Sequence, residues 1–304
     1  MFRLWREFER FRGKKENCMT VILTTRGCRW RKCTMCSYWL ESRDVNDEML
    51  KKQIDLVFER VDTKLLKIFT SGSFFDENEI STELRRYLVE KAKKLGVEKI
   101  IVESRPEFID EEKLEDFEGL ELEVGIGLET ANDLVREICI NKGFSFFDFF
   151  SAAEILKRRG FRVKCYLLLK PPFISEREAI LDILESVDKV SKVVDVISIN
   201  MMNVQRGTLV EKLWKRNLYR PPWLWSAVEV IKKIKKDVEI ICDPVAGGKI
   251  RGPHNCGKCD REVVNALKLF SVTQDKTLLD LNCECRILWN KSVEIEDFAR
   301  IPLI

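Results

Sequence analysis

Apolar residues along the chain gather into short runs, separated by longer stretches in which they recur every three to four positions. The runs at 18–25, 65–71, 98–104, 120–128, 161–169 and 194–200 predict strands, and the stretches between them, including 46–60, 78–95, 145–160 and 175–190, predict helices. The last two helices open with Ser145-x-x-Asp148 and Ser175-x-x-Glu178, a spacing in which side chains take up the first unpaired helical N–H groups. Strands alternating with helices imply parallel neighbours, because parallel pairing requires a crossover, and crossovers are right-handed. The expectation is an α/β chain folded as a partial (βα)6 barrel with helices outside and one mouth formed by the loops after the strands.

Outside this repeat the texture differs. The first 17 residues mix Arg3, Arg6, Arg10, Arg12, Lys14 and Lys15 with Phe2, Trp5, Phe8 and Phe11. They read as a helical extension that docks its aromatics in the core, or alternatively as a surface that contacts phosphates and stacks on bases. From about residue 236 the chain becomes rich in Gly, Pro and Cys, so the predicted division is 1–17, a barrel over 18–235, and a small Cys-rich metal-binding module over 236–304.

Composition narrows the class. With 304 residues and 45% hydrophobic content the chain is long enough to bury a large core, and no apolar run approaches the roughly 20 residues of a membrane span. The charged, aromatic N-terminus lacks the core of a signal peptide, so the expected location is the cytoplasm. A net charge of +3 does not mark a strongly basic nucleic-acid-binding domain. The single histidine, His254, without a nucleophile-elbow serine, argues against a histidine-centred hydrolase. Seven of the 11 cysteines cluster as C-x4-C-x2-C, C-x2-C and C-x-C, which favours metal ligation over disulfides. A 34% charged content beside only Gln53, Gln205 and Gln274 is typical of hyperthermophile proteins, in which Cys18, Cys139, Cys165 and Cys242 can still pair.

The chemistry begins in the loop after the first predicted strand, where Cys28, Cys33 and Cys36 offer three thiolates. Three ligands on a 4Fe–4S cluster leave one iron open, whereas a zinc knuckle would need a fourth residue from elsewhere. The run Thr24–Trp39 resembles the radical S-adenosylmethionine (SAM) superfamily, with one residue more than its usual C-x3-C-x2-C and with Met35 where an aromatic is usual. The resemblance implies that the open iron chelates SAM and that reductive cleavage gives a 5′-deoxyadenosyl radical. It also implies that Ser71, Gly72 and Ser73 bind the SAM amino group, and that Glu129 and Thr130, with Glu103, lie near its ribose. Glu103 and Glu129 can instead form ion pairs with Arg105 or Lys142.

Further strings narrow the resemblance. Asn141–Phe144, Tyr166–Phe173, Asn203–Thr208 and Tyr219–Trp225 are similar to the radical SAM subunit family of archaeosine synthases, and the likeness runs through nearly all of 18–290. That family implies a carbon–nitrogen lyase acting on tRNA position 15. There a partner subunit has attached lysine to 7-cyano-7-deazaguanine, and bond cleavage leaves the formamidine of archaeosine. Such a substrate needs cations for its carboxylate, for which Lys142, Lys170 and Arg206 are candidates, and polar groups for a flipped base, for which Asn203 and Gln205 are candidates. Trp223 and Trp225 read as core or as stacking surfaces. Cys256, Cys259, Cys283 and Cys285 supply four thiolates for a closed zinc site, with an auxiliary iron–sulfur cluster as the alternative, and His254 can replace one thiolate or contact phosphate. Other radical SAM tRNA modifiers of the methylthiotransferase or elongator type, and a non-catalytic zinc-binding RNA adaptor, are the competing functions.

Overall fold

A computed structural model describes residues 2–299. Its strands are β1 (Arg3–Phe11), β2 (Lys14–Ile22), β3 (Leu65–Phe69), β4 (Lys99–Glu103), β5 (Glu121–Glu129), β6 (Arg162–Leu169), β7 (Val196–Met201) and β8 (Glu239–Ile241), and they lie in one sheet in chain order. Its α-helices are α1 (Asp47–Phe58), α2 (Thr82–Lys94), α3 (Glu111–Glu115), α4 (Phe146–Arg158), α5 (Glu176–Val190), α6 (Leu209–Lys215), α7 (Leu224–Lys233), α8 (Asp260–Thr273) and α9 (Arg286–Ala299). Strands β2 through β5 pair in parallel, as do β7 and β8. The six predicted strands are all present, and the helices at 46–60, 78–95, 145–160 and 175–190 appear as α1, α2, α4 and α5. Ser175 and Glu178 form the reciprocal capping box.

The N-terminal reading needs correction. Residues 3–22 form an antiparallel hairpin, not a helix. Its turn is Arg12-Gly13, both with positive φ (47° and 78°), which is the backbone twist that a two-residue hairpin loop requires. The physical reason is a period of two: Glu9 and Phe11 are buried on one face while Arg6 and Phe8 are exposed on the other. Counting aromatics and cations hid that alternation.

The chain divides into two compact units. The first comprises Met1–Arg31, Tyr38–Gly127 and Phe147–Lys164. One face of its strands is fully apolar, with Leu66, Ile68, Ile100, Val102, Leu122 and Val124 buried. The other carries an ionic row set by register, in which Thr20 pairs Lys67, Lys67 pairs Ile101 and Ile101 pairs Glu123. Lys67 Nζ lies 2.6 Å from Glu7 and also contacts Glu9, while Glu123 receives Lys99 and Lys164, each at 2.7 Å. Three lysines thus face three glutamates, and Arg162 at 3.2 Å adds a partly exposed cation at Glu123. Burial alone would raise the Glu123 carboxyl; Lys164 and Lys99 outweigh it and hold the group far below the usual range.

The second unit comprises Lys32–Ser37, Leu128–Phe146 and Cys165–Ile304. Its core joins Met35, Cys139, Ile140, Leu168, Met202, Val204, Val210 and Tyr219. Trp225 is buried on α7, in keeping with the core reading of that position. A one-turn π-helix, Val135–Ile140, ends at Asn141 in the left-handed conformation. Cys18, Cys139, Cys165 and Cys242 are buried thiols and form no disulfide. Among the described residues no helix is long and apolar enough to cross a membrane.

Removing one partner from a buried ionic row leaves the opposing charges without compensation. Glu123→Gln is therefore expected to cost about 3–5 kcal/mol in denaturant unfolding at pH 7. A loss below about 1 kcal/mol would show that the row does not stabilise the first unit.

Candidate active site and metal centre

In the first unit the segments after β2 and β3 meet. Cys28 N donates to Ser71 O at 3.1 Å, and Gly72 N donates to Thr70 Oγ1 at 3.1 Å. Ser73 is buried, with its N–H on Glu79 Oε1 at 2.5 Å and its hydroxyl accepting from Arg105 N at 3.1 Å. Gly72 is obligatory because a Cβ there would overlap Glu79 Oε1 and stand 2.5 Å from Cys28 N. Asp76, fully buried, takes a bidentate contact from Arg29, 2.6 Å to each oxygen. Burial raises the Glu79 carboxyl, only partly offset by Thr25 and Ser73. Asp76 and Glu79 were not anticipated; the only sequence signal is the acidic run Asp76-Glu77-Asn78-Glu79 directly after the turn.

The extra residue between the first two cysteines has a local solution. Arg31 adopts φ 51° and donates to the carbonyls of Cys28 and Arg26, both at 2.8 Å. In the second unit the rest of the cysteine loop is anchored separately. Thr34 donates through its N–H to Ile140 O at 2.9 Å and through its hydroxyl to Cys139 O at 2.6 Å. Ser37 N–H donates to Gln205 Oε1 at 2.7 Å. Met35 replaces an aromatic as an apolar anchor, buried in the core against which Cys33 and Cys36 also pack. Cys28, Cys33 and Cys36 are half-buried thiols, the ligand type that an iron–sulfur cluster takes.

The second-unit residues expected at the mouth are only partly available. Glu129 adopts φ 70° and pairs with Lys142 at 2.6 Å, so the ion-pair alternative for these two is realised. Thr130 is corrected: it is fully buried and its hydroxyl donates to Asp182 at 2.7 Å, which turns it away from a ribose-binding role. Lys170 is corrected too. Its Nζ is buried between Glu176 and Glu296, 2.8 Å from each, so its charge is neutralised within the protein. Gln205 accepts through its side-chain carbonyl from Ser37 on the cysteine loop. Asn203 is half-buried and Arg206 exposed. In the first unit, Glu103 is half-buried and its carbonyl accepts from Phe74 N at 2.8 Å.

The four C-terminal cysteines converge as expected. Their sulfurs all lie within 4.8 Å of one another, with 3.9 Å between Cys256 and Cys259, 3.8 Å between Cys256 and Cys283, and 3.6 Å between Cys259 and Cys285. Bonds of about 2.3 Å to one tetrahedral ion give sulfur–sulfur edges of about 3.8 Å, so the set fits a single metal ion. Asn255 Nδ2 donates to Cys259 Sγ at 3.4 Å and Trp225 Nε1 to Cys285 Sγ at 3.2 Å, donors that would orient and stabilise thiolates. His254 stays outside the set, with Nδ1 at 2.8 Å from Gly252 O.

Three comparisons bear on this geometry. Residues 22–187 match the radical SAM superfamily. The chain is 42% identical to archaeosine synthase subunit beta of Methanosarcina acetivorans, over 97% of this chain and 90% of that protein. It is 41% identical to archaeosine synthase subunit beta of Thermococcus kodakarensis, over 95% of this chain and 96% of that protein. Among solved structures it is similar to queuine lyase from Clostridium spiroforme bound to SAM and queuine, with TM-score 0.53 and 23% identity over 71% of this chain and 88% of that one. That last likeness speaks to the fold alone.

Asp182 gives a pH prediction. Burial lifts its carboxyl to about 6, and Oδ2 has no hydrogen-bond partner among the described residues. The folded state therefore holds its proton more tightly than the unfolded chain, so stability should fall as pH rises from about 4 to 6. Asp182→Asn, which keeps an acceptor for Thr130, is expected to flatten that slope and raise stability at pH 7 by up to about 3 kcal/mol. Urea melts at pH 4, 5, 6 and 7 check it, and an unchanged slope would refute it.

Proposed function

The chain belongs to the radical SAM superfamily and, within it, to the family of archaeosine synthase beta subunits; from that premise we propose that it cleaves the lysine carbon–nitrogen bond on a lysine-modified 7-deazaguanine of tRNA, leaving the archaeosine formamidine. The observation that carries this reading is 42% identity over 97% of the chain, together with an intact three-cysteine loop beside the Ser71-Gly72-Ser73 turn. When bound, a 4Fe–4S cluster and SAM together supply a one-electron reductive cleavage that generates the hydrogen-abstracting species.

The chain's own residues hold and orient. Cys28, Cys33 and Cys36 would ligate three irons, and the Ser71–Ser73 backbone would receive the SAM ammonium, with Glu103 nearby. Glu129, its charge balanced by Lys142, offers a second carboxylate oxygen to a hydroxyl. Arg206, exposed after β7, would meet the amino-acid carboxylate, and Asn203 would contact the base. The four converged C-terminal cysteines would hold zinc as a structural ion, because their edges match a mononuclear site. The name of the relatives, subunit beta, supports a partner that attaches the lysine and contributes tRNA affinity.

The test uses anaerobically reconstituted protein with SAM, reductant and lysine-modified tRNA. Archaeosine should form together with 5′-deoxyadenosine, and Cys33→Ala should lower both by roughly a hundredfold or more. Arg206→Ala should lower turnover roughly tenfold, mainly through KM. Formation of 5′-deoxyadenosine with a different tRNA product would retain the radical chemistry and reject the lyase assignment. Metal analysis should find about four irons and about one zinc per chain; about eight irons without zinc would replace zinc by an auxiliary cluster.

A further inference from the structure

A closed ring of hydrogen bonds joins the segment before Cys28 to the turn after β3, and one side chain completes it. Cys28 N donates to Ser71 O at 3.1 Å, Ser73 N donates to Glu79 Oε1 at 2.5 Å, Thr25 Oγ1 donates to Glu79 Oε2 at 2.6 Å, and Gly27 N donates to Thr25 Oγ1 at 3.1 Å. Glu79, Thr25 and Ser73 are all buried. Glu79 fills the space that a side chain at position 72 would take, so the glycine and the carboxylate are fitted to each other. Its backbone is fixed in turn, with Glu79 N on Asp76 O at 2.8 Å and Asp76 held by Arg29, the residue next to Cys28.

We propose that Glu79 is a positioning residue for SAM: by bridging Thr25 and Ser73 it holds the Ser71-Gly72-Ser73 turn and the Cys28 segment in one fixed arrangement. This rests on the reading above that the turn binds SAM. A purely packing role would call for an apolar side chain here, since a buried carboxylate must recover its lost hydration. It does so through donors from the two segments that would meet at the cofactor. Without it, Ser73 N–H and the Thr25 hydroxyl lose their buried acceptor and the turn is free to relax. Cys33 and Cys36 are anchored by Thr34 and Ser37 outside this ring, so cluster ligation and SAM affinity should separate.

The experiment compares wild type, Glu79→Ala and Glu79→Gln, each as the anaerobically reconstituted full chain. It measures iron content, SAM affinity by equilibrium dialysis, and the SAM-dependent change in the electron paramagnetic resonance spectrum of the reduced cluster. Both variants should retain about four irons. The Kd for SAM should rise roughly tenfold or more in Glu79→Ala and by a smaller factor in Glu79→Gln, which keeps one acceptor. The SAM concentration needed for the spectral change should rise in step. The assignment is overturned if SAM affinity stays within about twofold of wild type in Glu79→Ala that carries its iron, or if neither variant retains iron, which would make Glu79 a folding residue. Absence of any SAM-dependent spectral change in wild type would instead reject the SAM-binding reading itself.

Discussion

The ionic row formed by Glu7 and Glu9 of β1, Lys67 of β3, Lys99 of β4, Glu123 of β5 and Lys164 of β6 is the constraint on which the first unit depends. Side chains alternate along a strand, so a slip of one residue would carry Lys67 or Glu123 to the opposite, fully apolar face and expose a leucine or valine in its place. Burying an unpaired ammonium or carboxylate costs several kcal/mol, which makes the register unambiguous. The hairpin β1–β2 is part of the same device, because Glu7 and Glu9 balance Lys67. With register fixed, the residues that emerge after the strands are fixed as well. Cys28 follows β2, the Ser71-Gly72-Ser73 turn follows β3, and Glu103 ends β4. Their meeting through Cys28 N and Ser71 O is a consequence of pairing set some distance back along the strands.

The positions at the strand ends serve two purposes, which explains why several expected ligand contacts are internal ones. Lys170 has a positive φ of 62° and is held by Glu176, Glu296 and, through its carbonyl, the Tyr219 hydroxyl at 2.7 Å. Such a conformation costs a residue with a side chain about 1–3 kcal/mol and persists because its surroundings overdetermine it. Glu129 shows the same combination of positive φ and ion pairing. Cations that read in sequence as carboxylate clamps are thus used to hold the backbone where strands end, and Arg206 is left exposed.

Strands and most helices were legible because burial writes a period into the sequence, and the cysteine motifs were legible because ligand spacing is local. The hairpin was missed where charge and aromatic content masked a period of two, although Arg12-Gly13 was a readable turn. The internal partners of Thr130 and Gln205 were not legible, since which way a side chain points after a strand depends on partners far away in sequence. Thr130 finds Asp182 and Gln205 finds Ser37, at separations of 52 and 168 residues. Glu79 was invisible for the same reason: its value lies in Thr25, 54 residues earlier.

The four-cysteine site shows how a small module can be tied to the strand ends within the second unit. Trp225 donates its indole N–H to Cys285 Sγ, and Trp225 N–H lies 3.3 Å from Asn255 Oδ1. The next residue, Ser226, donates to Glu176 Oε1 at 2.5 Å and accepts from Trp289 Nε1 at 2.8 Å. Glu176 then reaches Lys170 at the end of β6. Adjacent residues of α7 therefore hold the thiolate site with one side chain and the buried carboxylate with the other. An ion held by the four thiolates would restrict α7, and α7 in turn would restrict the group that neutralises Lys170.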